Sequence, residues 1–132
     1  MRSLEERGFF KGSVTDPNKP QYAVPDAIVP PGGWGGKDEV LLSKIQPSSF
    51  GSSELQTYLR ARDIKHVVLI GLTTMGSILG GARAGADLDY HMIIPKGAVI
   101  DDEVEVHNFL IERVLPKFLD VVDIEDVVNI KN

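Results

Sequence analysis

The chain has 132 residues, no cysteine and a formal net charge of −5 at pH 7, with 42% hydrophobic and 25% charged residues. This is the composition of a globular domain with enough apolar residues to form a core. The lack of cysteine excludes disulfides and thiolate chemistry, and an acidic chain without a basic cluster is not expected to bind nucleic acid or a membrane surface.

Residues 1–37 form a segment rich in proline and glycine, which includes TDPNKPQ and GGWGG. This density of Pro and Gly does not support a helix or an inner strand. The segment is therefore predicted to be irregular, and residues 38–132 to form the α/β domain. Its first residues, MRSLEERGFF, are too charged for a signal peptide, and no run is long enough to span a membrane. A cytoplasmic location is expected.

From residue 38 onward, apolar runs alternate with helical patterns. In chain order, the predicted elements are a strand over 40–45, a helix over 53–62 with a Ser53–Gln56 capping box, a strand over 67–72, a helix from 75, a strand over 90–94, a helix from 101, a strand over 121–124 and a short helix over 125–130. Strands that alternate with helices at this spacing predict βαβ units, and therefore an α/β fold with a parallel sheet.

The glycines of the helix that begins near Met75 lie in two pairs, four residues apart: Gly76 with Gly80, and Gly81 with Gly85. Each glycine costs about 0.5–1 kcal/mol relative to alanine in a helix interior. Bare strips of this kind let another backbone approach closely. They predict tight packing against a neighbouring helix or sheet, within the chain or across a subunit interface.

The strand over 67–72, its turn and the following helix form the candidate site. The turn is expected at the carboxyl end of a parallel sheet, where open α/β folds bind their ligands. Thr73 and Thr74 are predicted to cap the helix, and the N–H groups of its first turn suit a carbonyl or carboxylate oxygen. The residues predicted to bind a small molecule are Leu72, Thr73, Thr74, Met75, Gly76 and Phe50. The three histidines lack metal-ligand spacing, and neither a metal nor a cofactor is predicted.

Four stretches resemble, in their order along the chain, the isochorismatase-like cysteine hydrolases, the superfamily that includes nicotinamidases and N-carbamoylsarcosine amidases. They are DEVLLSK (38–44), SSFGSSELQTYLRARDIKHVVLIGLTT (48–74), ILGGARAGADLDY (78–90) and VLPKFLDVVDIEDVV (114–128). Each piece alone is weak, but together they cover roughly a hundred residues. The resemblance implies a three-layer α/β/α Rossmann-like fold with a parallel sheet flanked by helices. It also implies a cis peptide near Leu72–Thr73 that shapes an oxyanion hole.

The resemblance further implies a catalytic set of a cysteine nucleophile, an activating aspartate and a lysine. The lysine position falls on Lys44 and the nucleophile position on Ser77. The aspartate belongs to an apolar strand with no counterpart here, so the chain is predicted to lack the family's first two strands. A serine hydroxyl is much harder to deprotonate than a thiol. The expectation is a catalytically degenerate site.

Two functions remain open from the sequence. The first is an oligomeric binding or interaction protein, because an unpaired inner strand edge would need a rearranged sheet, a second copy or another chain that supplies the missing strands. The second is a hydrolase or repurposed enzyme that acts on a small amide or vinyl-ether substrate through Ser77 and Lys44. A base for Ser77 would have to be His91 or His107. His91, at the start of a strand, is expected at the far end of the sheet.

Overall fold

The computed structural model describes residues 26–33, 39–44, 46–51 and 54–130, and the chain divides into two compact units, Met1–Leu41 and Leu42–Asn132. In the first unit, Asp26–Ile28 forms a single 3₁₀ turn. Gly32 and Gly33 follow with φ angles of 94° and 83°, a backbone conformation that favours glycine. Most of the predicted irregular segment, including Trp34, lies outside the described residues, so the predicted boundary at residue 37 stays a prediction.

The second unit contains the helices and strands that build the candidate site. They are α1 (Leu55–Ala61), β1 (His66–Val68), β2 (Gly71–Leu72), α2 (Leu79–Asp87), β3 (His91–Pro95), β4 (Val99–Ile100), α3 (Val104–Phe109), β5 (Asp120–Val122) and α4 (Ile124–Val128). Wider π-helical turns precede α2, at Thr74–Ile78, and follow α3, at Leu110–Val114.

The strands form two parallel ladders. The larger sheet has the order β1-β3-β5, with His66 opposite His91 and Ile93 opposite Asp120. The smaller pairs β2 with β4, so that Leu72 lies opposite Ile100. Parallel pairing needs a crossover between strands, and helices supply it here. The α/β, Rossmann-like sheet flanked by helices that the sequence predicts is confirmed.

The core lies between α2, the larger sheet and the helical segment after α3. Ile78, Ala82 and Ile94 are at most 1% exposed, and Leu110, Ile111 and Leu115 pack with them. Successive side chains of a strand point to opposite faces of the sheet. Leu69, just beyond β1, packs against this core, whereas its neighbours Val68 and Ile70 are 40% and 61% exposed. One face of β1 is therefore buried and the other is open to solvent in the described part of the chain.

Three predicted strands differ from the structure. Residues 40–44 of the first have no strand pairing, because no described strand lies beside them, and Ile45 is outside the described residues. The strand over 67–72 is split at Leu69 and Ile70, because its first part pairs with β3 and its last part with β4. The last strand ends at Val122, since Asp123 is the N-cap of α4.

Helical predictions hold in type and differ in detail. In α1, Leu55, Tyr58 and Leu59 are half-buried on one face, while the Ser53 side of the predicted capping box lies outside the described residues. The helix predicted from residue 101 begins at Val104, so Asp101 precedes it. Beyond that start, Leu110 is buried and Phe109 is 59% exposed.

The glycine-rich helix packs tightly within its own chain. A Cβ added at Gly80 would meet the backbone of Ser48 at 3.5 Å, and one added at Gly81 would meet a methyl group of Leu69 at 3.2 Å. At Gly85, an added Cβ would collide with the Met92 side chain. Close packing is thus confirmed for the Gly81 and Gly85 strip, against neighbours in the second unit, whereas Gly80 has room for a methyl group.

Candidate functional site

The candidate site is the turn that joins β2 to the glycine-rich helix. The peptide bond between Leu72 and Thr73 is cis, as the family resemblance predicted. Thr73 then accepts two hydrogen bonds at its carbonyl oxygen, both of 3.1 Å, from Gly76 N–H and Ile78 N–H. The second spans five residues, so the helix begins with a π-helical turn, a feature that recurs at functional sites. Ser77 lies in this turn and is half-buried.

Lys44 and Ser77, 33 positions apart in the sequence, are in direct contact. Lys44 Nζ donates to Ser77 Oγ over 3.0 Å. The same ammonium also donates to two carbonyl oxygens, of Gln46 at 3.1 Å and of Pro47 at 2.9 Å. An ammonium has three protons, and these three acceptors use all of them. The structure thus brings together the lysine and nucleophile positions that the sequence assigned.

Thr74 and His107 form a second contact across the site. Thr74 is completely buried, and its Oγ1 lies 2.8 Å from Nδ1 of His107 on α3. The sequence predicted that Thr73 and Thr74 cap this helix, and that prediction is wrong. The Thr74 hydroxyl bonds to His107 instead, and Thr73 makes no side-chain cap. His107 thus bonds to Thr74, and its Nδ1 is occupied by that contact rather than by Ser77.

Asp101 supplies the missing helix cap. Its Oδ2 accepts a hydrogen bond of 2.7 Å from Met75 N–H, in the first turn of the helix, and its side chain is buried with the residue only 8% exposed. Burial alone acts to raise the pKa of the Asp101 carboxyl. The hydrogen bonds it accepts, led by the one from Met75 N–H, outweigh burial and lower that pKa below its ordinary value. Asp101 is therefore a buried carboxylate at a helix N-terminus, where the dipole favours negative charge.

The remaining predicted ligand residues separate into two groups. Leu72 and Met75 are 69% and 42% exposed, so both present apolar side chains to solvent beside the turn. Phe50 stacks on Tyr90, with ring centroids 5.7 Å apart, and lies against Gly85, eight positions beyond Ser77 on the helix. The contacts of Phe50 are thus with packing residues at the other end of the helix.

The two other histidines lie together at the amino ends of β1 and β3, where their rings are 4.9 Å apart. His91 Nε2 is 2.6 Å from Asp120 Oδ2. Parallel strands start at the same edge, so His91 lies at the end of the sheet opposite the candidate site, as predicted. Within the ranges that the structure describes, no three His, Asp or Glu side chains are grouped so as to hold a metal ion. Nor does any helix there have the length and apolarity needed to cross a membrane.

Asp101 and the two carbonyls that hold Lys44 are the site groups that sequence reasoning missed. In the sequence, Asp101, Asp102 and Glu103 form an acidic run at the start of the helix predicted from residue 101, which is the usual place for such a run. The signal that distinguishes it is its position directly after the short strand β4, because the carboxyl edge of a parallel sheet is where the Thr73–Ser77 turn also lies.

Comparison with known proteins gives matches over most of the chain. The family model described as the isochorismatase domain matches residues 6–126. An uncharacterized isochorismatase family protein of Escherichia coli O157:H7, YecD, is 27% identical over 112 residues, which are 80% of this chain and 60% of that protein. A ureidoacrylate amidohydrolase, RutB, of Caulobacter vibrioides is 28% identical over 102 residues, 77% of this chain and 41% of that protein.

Solved structures agree in fold. A cysteine hydrolase from Pseudomonas syringae pv. phaseolicola superposes with a TM-score of 0.72 at 23% identity, over 84% of this chain and 55% of that one. An isochorismatase family protein from Burkholderia thailandensis gives a TM-score of 0.64 at 25% identity, over 67% of this chain and 47% of that one.

The chain spans about half the length of the relatives and structures that it matches, from 41% to 60% in these four cases. The family model nevertheless covers nearly all of it, beginning earlier than the stretch from residue 38 that the sequence assigned to the domain. This match, over residues 6–126, shows that the chain belongs to the isochorismatase-like family.

Proposed function

We propose that this chain is a catalytically degenerate isochorismatase-like protein that binds small carbonyl compounds at the Thr73–Ser77 turn and acts as an oligomeric binding protein. The observation that carries the proposal is the state of Lys44. Its ammonium donates all three protons, to Gln46 O, Pro47 O and Ser77 Oγ. Each proton of the ammonium therefore already has an acceptor within the protein.

Ser77 has no activating partner among the described residues. Its hydroxyl accepts a hydrogen bond from Lys44, and within that part of the chain no carboxylate is hydrogen-bonded to either side chain. A serine nucleophile needs an adjacent base that takes its proton. His107, the candidate base on α3, is bonded to Thr74 instead. This arrangement favours binding over covalent catalysis.

The same turn is well formed for binding. The turn places the Lys44 ammonium beside Ser77, and Leu72 and Met75 are exposed next to it. The carbonyl oxygen of a neutral compound can lie against this cation while the apolar part of the compound lies on Leu72 and Met75. Small neutral amides such as nicotinamide have this form.

The decisive experiment measures ammonia release and binding with the same compounds. Ureidoacrylate and nicotinamide are incubated with wild-type protein and with S77A, and ammonia is quantified. Hydrolysis by the wild type is expected to be no faster than by S77A, because no base is hydrogen-bonded to Ser77 among the described residues. Calorimetric titration of the wild type with nicotinamide, which is neutral, is expected to show binding that K44A weakens about tenfold, or ~1.4 kcal/mol.

K65A is the matched control, since Lys65 is an exposed lysine that pairs with Asp63 away from the site.

Ammonia release that requires Ser77 would contradict the degenerate site and support the second function, a hydrolase of small amides or vinyl ethers. The Lys44–Ser77 hydrogen bond favours that function, because a nearby ammonium would stabilise a serine alkoxide. Binding that K44A and K65A weaken equally would remove the proposed site.

The oligomeric part of the proposal rests on β1. In the described residues, β1 pairs only with β3, so its other edge has unpaired backbone groups, and Val68 and Ile70 are exposed on its open face. Exposed apolar residues beside an unpaired strand edge favour association with another chain. A second copy of this protein or a chain that supplies further strands would satisfy both features.

A further inference from the structure

We infer that Asp101 sets the charge selectivity of the site, so that it accepts neutral carbonyl compounds and rejects anions. The inference rests on the proposed binding function and names its ligand class. Asp101 Oδ2 is held 2.7 Å from Met75 N, two residues before Ser77 in the same helical turn. A helix rises only 1.5 Å per residue, so the carboxylate lies within about one turn of the nucleophile position.

Asp101 offsets the charge of Lys44 at this turn. Lys44 contributes one positive charge through its 3.0 Å bond to Ser77 Oγ, and Asp101 contributes one negative charge through Met75 N. The helix N-terminus adds a partial positive charge of about half a unit. Without Asp101, a cation and a helix N-terminus together would form an anion site. With it, an incoming carboxylate or phosphate meets a buried like charge.

Asp101 also removes a donor that an anion would use. Met75 N–H is one of the free N–H groups at the start of the helix, and the carboxylate occupies it. A carbonyl oxygen carries only partial charge and needs fewer donors. It is therefore less affected than an anion by the negative charge of Asp101 and by the loss of the Met75 N–H donor. The carboxylate is 8% exposed and fixed by a second hydrogen bond from Glu103 N at 3.4 Å, so it has little freedom to withdraw.

The absence of cysteine from the sequence allows a direct test. S77C places a single thiol at the site, and its alkylation is followed with two probes of similar size: iodoacetamide, which is neutral, and iodoacetate, an anion. In each reaction the thiolate sulfur forms a bond to carbon and iodide leaves. The measured quantity is the ratio of the iodoacetate rate to the iodoacetamide rate. Changes in thiol pKa affect both rates equally and cancel in this ratio.

The double variant S77C/D101N is expected to raise the ratio about three- to tenfold over S77C, because a negative charge near the thiol is removed. S77C/D101S is expected to do the same, since both asparagine and serine retain a capping oxygen. S77C/E112Q is the control. It removes an exposed carboxylate in the π-helical turn after α3 and is expected to leave the ratio unchanged. Urea midpoints establish that each variant is folded.

Two results would overturn the inference. A ratio in S77C/D101N that equals the ratio in S77C/E112Q would show that Asp101 exerts no charge effect on the site. S77C/D101E keeps the charge, so a rise in its ratio like that of S77C/D101N would assign the effect to cap geometry. Neither result depends on nicotinamide binding, so failure of the proposed function and failure of this inference are distinguishable.

Discussion

Three side chains from other parts of the chain hold the site turn in place. Lys44 approaches from the segment before α1, Asp101 from the end of β4, and His107, the partner of Thr74, from α3. Each contact uses a polar group that would be costly to leave unpaired, above all the fully buried Thr74 hydroxyl. The turn is therefore held by hydrogen bonds from distant parts of the sequence.

The lowered pKa of Asp101 predicts a pH-dependent contribution to stability. A carboxyl whose folded pKa lies below the unfolded value of about 3.9 stabilises the fold at higher pH and loses this contribution as the pH falls through the folded pKa. D101N is therefore expected to lower the free energy of unfolding by about 1 kcal/mol at pH 7. The difference from wild type should shrink steadily below about pH 4.

Urea unfolding of both proteins between pH 7 and pH 3 measures this difference. E112Q, at an exposed position, is the control and should follow the wild type throughout. A D101N defect of constant size over the whole pH range would show that the lost interaction does not depend on the ionisation of Asp101.

Sequence patterns could identify Lys44 and Ser77 because the family resemblance assigns both positions by local motifs. They could not identify Asp101, because its role depends on Met75, 26 positions earlier, and on the β2–β4 ladder that brings the two together. His107 was considered only as a base for Ser77. Its actual partner follows from the packing of α3, which periodicity alone does not determine.

Among the elements, α2 combines poor helix propensity with close packing. Its glycines differ in what surrounds them: Gly80 has Ser48 atoms at ordinary contact distance, whereas Gly85 faces Met92, which is 1% exposed, and the Phe50 ring. The same substitution should therefore have opposite effects at the two positions.

G80A is expected to stabilise the protein by about 0.5–1 kcal/mol, the gain in helix propensity where space is available. G85A is expected to destabilise it by about 1–2 kcal/mol, because overpacking in a core costs more than propensity returns. Urea midpoints at unchanged m-value measure both. Equal effects of the two alanines would show that the contacts of Gly85 do not limit the packing.

Most element types were predictable from the sequence, and element pairing was not. The alternation of apolar runs and helices predicted the four helices and the strands that contain β1, β2, β3 and β5. It also predicted a strand over 40–45 that is unpaired in the described residues, and it did not predict β4 or the break in the strand over 67–72. That break arises because Leu69 N–H bonds to Ile93 O in one sheet and Leu72 lies opposite Ile100 in another. A one-dimensional hydrophobic run contains no information about a change of partner.

At the scale of the whole molecule, association is predicted by the β1 edge that no described strand pairs and by the exposed Val68 and Ile70 beside it. Sedimentation velocity at tens of micromolar is expected to give a mass above that of one chain for the wild type. I70K places a charge at an exposed position just beyond β1, and it should shift the protein towards a single-chain mass.

V128K is the matched control, because Val128 on α4 is even more exposed and receives the same charge. It should associate like the wild type. A wild-type protein that sediments as a single chain would remove the oligomeric part of the proposed function, and equal dissociation of the two variants would show that net charge, not the β1 edge, governs association.

The π-helical turn at Thr74–Ile78 has an evolutionary consequence. A turn closed by a bond over five residues contains one residue more than an α-helical turn, which offsets everything after it by about 100° around the helix axis. Ser77 and the buried face of Gly81, Ala82 and Gly85 both follow the first residues of this turn, so they keep their positions relative to each other. Loss of one residue at Met75 or Gly76 would convert the turn to a regular helix and rotate Ser77 and the buried face together relative to Thr73. A single-codon deletion here would therefore disturb the site and the core at once, so the length of this turn constrains both.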